Sequence, residues 1–261
     1  AKAILYHQWR TAVFGGETFV YRDVYRYFYP YKLFAHDSFQ RLTIPLWNPG
    51  IYCGAPFLAA LQSQVLYPPS VLCYILPMPH GFTLFILLHV VACGFFAYLL
   101  CREWGYSFYG ALFSAVAFAF SGYLVSALDM VSTLCSVTWL PLLLLLAEKA
   151  IKRGNPVPLS AGAGAALAMQ FLAGEPSVLF MTVFVLCLYF LIAVLRDSNL
   201  LKRAAIILAG SFAIAAALTA FQWMPFAELV RHSSRGAGTA YSDAARWSMP
   251  PAYYLTLLFP F

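Results

Sequence analysis

Asp23 stands between Arg22 and Arg26 in the aromatic stretch Val-Tyr-Arg-Asp-Val-Tyr-Arg-Tyr-Phe-Tyr-Pro-Tyr-Lys. A carboxylate beside two guanidiniums stays ionised, and a guanidinium grips phosphate oxygens with a bidentate fork. The trio therefore suits a base held next to a bound phosphate. Its plainer use is an exposed ion pair, worth about 0–1 kcal/mol. The tyrosines at 21, 25, 27, 29 and 31 offer surface for stacking or for the bilayer interface, where tyrosine is enriched.

Other acids and bases are thinly spread. Glu175 lies in Gly174-Glu175-Pro176, and Asp129 occupies a similar short turn. An acid there is favoured by the dipole of the helix that follows; alternatively, Glu175 sits at the mouth of a membrane cavity and binds a sugar hydroxyl or a divalent metal. After Pro225 come Glu228, Arg231, His232 and Arg235, followed by Asp243 and Arg246. Glu228 and Arg231 have the i,i+3 spacing of a solvated ion pair, and the cations also suit a lipid phosphate. His89 falls inside an apolar run, where an ionisable group needs a partner. It reads as a neutral imidazole bonded to a neighbouring helix, with a proton relay as the alternative. No P-loop, GxGxxG, GxSxG or HExxH pattern occurs. The cysteines show no CxxC or metal-ligand spacing, and no organic cofactor is implied. Cys53 and Cys73, both in the long loop before the first span, are the pair placed to form a disulfide.

The elements that position these residues follow from composition. Apolar residues make up 62% of 261, charged residues 10%, and mean hydropathy is +0.74. Soluble domains carry about 25% charged residues, so lipid must cover this surface. The net charge of +6 sits in turns between apolar runs, without a basic cluster interleaved with RNA-binding aromatics; the bilayer is the partner and nucleic acid is not. Six runs near 81–101, 107–127, 131–148, 157–173, 177–195 and 204–224 are expected to span as helices, since open strands leave backbone groups unpaired in lipid.

Charge then sets direction. Arg102, the group Lys149, Lys152 and Arg153, and the group Arg196, Lys202 and Arg203 fall in alternate turns. The turns at Asp129 and Glu175 contain no Lys or Arg, so the positive-inside rule puts the first set in the cytoplasm and the second outside. Residues 1–80 become a first outer loop, 81–224 a six-helix region and 225–261 a second outer segment. An outer loop of that length calls for a membrane helix before residue 1, and truncation is expected at both ends. Within the loop, Pro30 is suited to open a helix running to about Gln40. Tyr31, Leu33 and Phe34 form its apolar side; Lys32, His36, Asp37 and Gln40 form its polar side, as in a helix lying in the membrane interface. Ile44-Pro45 and Asn48-Pro49 force extended or turn geometry. In the fourth run, Ala161-Gly162-Ala163-Gly164-Ala165-Ala166 predicts close helix packing inside the bundle.

Several segments recur in a familiar order: Asp23, Tyr29-Pro30, Pro45-Leu46-Trp47-Asn48-Pro49, Gly54-Ala55-Pro56, Gln62, Tyr67-Pro68, Trp139-Leu140-Pro141, Gly174-Glu175-Pro176, and Gln222 through Pro225, Glu228 and Ser233-Ser234-Arg235 to Leu257-Leu258-Phe259-Pro260. The set resembles the bacterial YfhO-like membrane proteins over nearly the whole chain. The resemblance implies an all-α polytopic bundle of the GT-C glycosyltransferase type in the bacterial cytoplasmic membrane, with a long, partly helical first outer loop. It implies transfer of a sugar from a polyprenyl-phosphate carrier to a glycan or lipid acceptor of the cell envelope. Asp23 matches the family's early outer-loop acid and would take the acceptor hydroxyl's proton or orient that hydroxyl. Arg22, Arg26, Arg231 and Arg235 would neutralise the departing phosphate; Trp47, Asn48, Gln62, Tyr67, Glu175 and Glu228 complete the expected substrate contacts. One departure stands out. The family often has Gly-His-Pro where this chain has Glu175, and a glutamate donates no proton at neutral pH unless its pKa is raised. Two other functions fit the composition, a transporter or flippase of a lipid-linked substrate and a non-catalytic envelope scaffold. A transporter needs charged groups near mid-membrane, whereas Glu17, Asp23, Asp37, Asp129, Glu175, Glu228 and Asp243 sit at the outer rim or beyond.

Overall fold

The computed structural model describes residues 23–152 and 155–233, with single positions at 238, 241, 245, 248 and 253. Arg22 and Arg235 lie outside the described residues. The chain is an all-helical, polytopic membrane architecture. Among the described residues, five helical stretches are long and apolar enough to cross a bilayer: His80–Glu103, Phe108–Ala127, Val131–Lys152, Pro176–Arg196 and Ser198–Leu218.

The loop comes first. One π-helical turn, Val24–Phe28, runs into α1 (Tyr29–Gln40), with Pro30 in the first turn as its missing N–H requires. Two short strands, β1 (Trp47–Asn48) and β2 (Ala55–Pro56), pair antiparallel. The short α2 (Val71–Ile75) follows. Its end carbonyls, which have no partner within the helix, are met from α1: His36 Nδ1 lies 2.8 Å from Cys73 O, and Gln40 donates to Tyr74 O at 2.9 Å.

The bundle comprises α3 (His80–Glu103), α4 (Phe108–Ala119), α5 (Gly122–Ala127), α6 (Val131–Val137), α7 (Leu140–Lys152), α8 (Pro156–Leu172), α9 (Pro176–Arg196), α10 (Leu201–Leu218) and α11 (Ala220–Arg231). Two spans are broken midway. Ser121 caps α5 through its hydroxyl, dividing it from α4. Between α6 and α7, Pro141 has no N–H to give Val137 and the helix restarts at Leu140.

The six expected runs need two corrections. The fourth, α8, has 17 residues, short of the about 20 that cross a bilayer in a straight helix. It lies against α10 more extensively than any other pair of elements touches. The Gly-Ala run explains this: a Cβ on Gly164 would sit 2.7 Å from the Ile214 side chain and 2.9 Å from Ser211 O. The sixth run was expected to reach 224, but α10 ends at Leu218. Thr219 turns its hydroxyl back onto Ala215 O, and the chain restarts as α11, which contains Pro225 and ends at Arg231.

The two ends of the bundle differ in charge. Lys152 joins the ends of α3 and α7, bonding Glu103 O at 2.7 Å and Glu148 at 2.9 Å. Arg203 caps the last carbonyls of α7 at Ile151 and Ala150. These contacts gather the ends of α3 and α7 and the start of α10 at one basic end. The long loop before α3 closes the opposite end, where Gln64 bonds Ala173 and Gln222 bonds Leu58 O.

Candidate functional site

Asp23 begins the helical turn before α1. Its carboxylate is exposed, as is Arg26, while the adjacent Val24 and Phe28 are buried. The spacing of Val24 and Phe28 turns one side of this segment into the bundle and leaves Asp23 and Arg26 facing away from it. Among the described residues no ion pair joins the two.

Glu175 is more tightly held. Ser132, at the start of α6, donates to its Oε2 at 3.1 Å, and Ser177, in the first turn of α9, donates to Oε1. Glu175 thus accepts hydroxyl donors from two helices at the loop end of the bundle, while the carboxylate remains only half-buried. Gly174 makes this turn possible: its φ is +86°, and an added Cβ would fall 2.5 Å from Leu61 O. The turn therefore packs directly on the long loop before α3. Val24, beside Asp23, belongs to the same buried cluster as Val131 and Ala173, which neighbour Ser132 and Gly174. Among the described residues no hydrogen bond or ion pair joins Asp23 to Glu175.

The remaining expected contacts divide. Gln62 is exposed beside the Glu175 turn. Trp47 is half-exposed with its ring over Gly54, and Asn48 is buried with Oδ1 accepting from Gly50 N at 2.9 Å, which makes it a loop brace. Tyr67 is buried and fully engaged. His89 Nδ1 faces Phe85 O at 2.6 Å, and a carbonyl only accepts, so the proton sits on Nδ1. Tyr67 O–H then donates to His89 Nε2 at 2.7 Å, and Trp139 Nε1–H donates to the Tyr67 oxygen at 2.9 Å. Burial pushes the Tyr67 hydroxyl well above the ordinary tyrosine range. His89 is a neutral anchor for the loop; its partner is Tyr67 of that loop where a neighbouring helix was expected. Glu228 and Arg231 are exposed on α11 with no ion pair between them among the described residues, and α11 reaches the loop through Gln222.

Two features departed from expectation. Lys32, assigned to the polar side of an interfacial helix, is 1% exposed. It shares the inward side of its segment with Phe28, Tyr31 and Ala35, a helical i, i+3, i+4, i+7 spacing that was legible in sequence. Its amine donates to Ser70 Oγ at 2.6 Å and to Gln64 O at 3.4 Å, and stands 4.9 Å from the centre of the Phe85 ring. Burial pulls its pKa down to about 8, against a smaller upward pull from the Cys73 and Cys135 thiols. Second, Gln64, two residues beyond the expected Gln62, supplies the link to the Glu175 turn; it adopts φ 53° and its amide donates to Ala173 O at 2.6 Å. Cys53 and Cys73, whose pairing the sequence left open, are both free; Cys73 is buried under α3 and Cys53 is exposed.

Among the described residues no group of three or more His, Cys, Asp or Glu side chains could hold a metal ion. Comparison with protein-family models, curated proteins and solved structures returns no match.

Proposed function

We propose that the chain is the membrane-embedded part of a GT-C-type glycosyltransferase of the YfhO-like kind. In this reading it moves a sugar from a polyprenyl-phosphate carrier to a cell-envelope acceptor at the outer face of the bacterial cytoplasmic membrane. The observation that carries the reading is the serine-held Glu175, in a turn packed on the loop that also bears the exposed Asp23, at the end of the bundle opposite its basic turns. An exposed carboxylate at Asp23 is available to an acceptor hydroxyl, and Arg26 beside it is available to a phosphate. Glu175, accepting from Ser132 and Ser177, acts as an acceptor for sugar hydroxyls; the proton donation of the family's histidine is not assigned to it.

The polar groups within the spans favour transfer over transport. His89 is neutral and bonded at both nitrogens. Gln170 is turned inward to Ser136 O and Thr182. Neither forms a mid-membrane charge of the kind a coupled transporter uses.

The test is reconstitution of the full protein in vesicles with a radiolabelled polyprenyl-phosphate sugar and an envelope glycan or lipid acceptor. Label appearing in the acceptor supports transfer. Label crossing the bilayer while still on its carrier supports the flippase reading and contradicts this one.

A further inference from the structure

At the basic end of the bundle a cavity of about 420 Å³ opens between α7 and α9. That volume falls within the about 300–1,000 Å³ of small-molecule sites. Glu148, Ile151 and Lys152 line it from α7, at the i, i+3, i+4 spacing of one helix face. Tyr189, Ile192 and Arg196 line it from α9 in the same way. The turn from Asp197 to Leu200, which leads into α10, completes the wall.

Four charged side chains share this lining, and they are not equally engaged. Glu148 accepts from Tyr189 at Oε2 and from Lys152 at Oε1, while the Lys152 amine also donates to Glu103 O. The other two are idle. Asp197 takes both of its side-chain bonds, from the main-chain and side-chain amides of Asn199, on Oδ1 alone. Among the described residues Arg196 makes no side-chain hydrogen bond or ion pair, and none joins it to Asp197. A guanidinium and a carboxylate oxygen are therefore presented to one cavity without neutralising each other.

The chemistry of an occupant follows from that pairing. A guanidinium fork fits a phosphate, whereas a carboxylate attracts a cation and repels an anion. Two acids stand against two cations in the lining, so its complement is a zwitterion. A quaternary ammonium takes an aromatic cage; Tyr189 is the one aromatic ring here among the described residues, and its hydroxyl is turned to Glu148. A primary ammonium, which donates hydrogen bonds to carboxylates, is the better match. Leu191 and Leu195, on this stretch of α9, are each more than half exposed and offer apolar surface to acyl chains.

We infer that this cavity binds the phosphoethanolamine headgroup of a phospholipid from the leaflet at the basic end, with its phosphate at Arg196 and its ammonium at Asp197. Headgroup binding in charged pockets between spans follows the same electrostatics as other lipid recognition. The site lies at the opposite end of the bundle from Glu175, so it neither needs nor tests the transfer reaction.

The experiment titrates the full protein, delipidated in detergent, with phosphatidylethanolamine, phosphatidylcholine and phosphatidylglycerol of matched acyl chains, and counts bound lipid by native mass spectrometry. The ethanolamine lipid should be retained at least about tenfold over either of the others, a ratio equal to about 1.4 kcal/mol. Asp197→Asn keeps the Oδ1 that holds Asn199 and should cut the preference over phosphatidylglycerol several-fold, because the repelling charge is gone. Arg196→Gln should lower retention of both phospholipids several-fold, because both lose the partner of their phosphate. Both positions are exposed, so the variants should keep the wild-type unfolding midpoint. Equal retention of the three lipids, stronger retention of phosphatidylglycerol, or a preference unchanged in both variants would overturn the inference in favour of solvated surface charges. Displacement of the lipid by soluble glycerophosphoethanolamine at matched concentration would overturn it in favour of a soluble phosphoester.

Discussion

The side-chain amide of Gln64 donates to the main-chain carbonyl of Ala173 at 2.6 Å, across 109 residues of sequence. Ala173 ends α8, where a helix leaves carbonyls without partners, and the next two residues are Gly174 and Glu175. One hydrogen bond thus joins the long loop before α3 to the turn that carries the held acid. Gln64→Leu should orphan the Ala173 carbonyl and cost about 1–3 kcal/mol. A lowered unfolding midpoint in detergent, with faster proteolysis in the loop, is the expected result; an unchanged midpoint would show that the loop is held elsewhere.

Gly174→Ala tests the same contact from the other side. The substitution must place a side chain at φ +86° and drive its Cβ to within 2.5 Å of Leu61 O. Backbone strain of this kind costs about 1–3 kcal/mol, so the variant should unfold earlier than wild type. A neutral Gly174→Ala would mean that the loop does not rest on the turn.

The Tyr67 anchor should behave as a unit. Tyr67→Phe leaves Trp139 Nε1–H and His89 Nε2 buried without their partner, each at about 1–3 kcal/mol. Combined with Trp139→Phe, the double variant should lose less than the sum of the singles, with a coupling of at least about 0.5 kcal/mol. Strict additivity of the two unfolding free energies would refute the bond chain.

Lys32 gives a pH signature. Burial lowers its folded pKa from the ordinary lysine value of 10.5 to about 8, so between these values the unfolded chain binds more protons and stability rises with pH. The full penalty is present below pH 8 and is relieved toward pH 10.5, a gain on the order of 3 kcal/mol. Tyr27, Tyr67 and Tyr74, whose hydroxyls burial pushes upward, act oppositely and lower stability as the unfolded tyrosines ionise above pH 10. Unfolding midpoints from pH 7.5 to 10 should rise in wild type and stay flatter in Lys32→Met. Parallel curves would exclude a charged, buried Lys32.

Much of the bundle is readable from composition because lipid imposes a simple demand: an unbroken apolar run of bilayer length, with lysines and arginines at alternate turns. The interruption at Thr138–Trp139 was less legible, since Pro141 acts four residues back on a helix whose hydropathy is continuous. Lys32 was misread because its charge outweighed its register with Phe28 and Ala35. Gln62 and Gln64 look alike in sequence; the left-handed turn at Gln64 and the distant Ala173 carbonyl distinguish them, and both are products of tertiary packing.

Asp23 is the residue on which the functional account turns, as the acid offered to an acceptor hydroxyl at the loop end. The direct measurement is the initial rate of sugar transfer from a polyprenyl-phosphate donor by the full protein, wild type against Asp23→Asn, at matched expression and folding. The account predicts a fall of about 10²–10⁴-fold, the usual contribution of a positioned acid or base. A variant that transfers at the wild-type rate would contradict it.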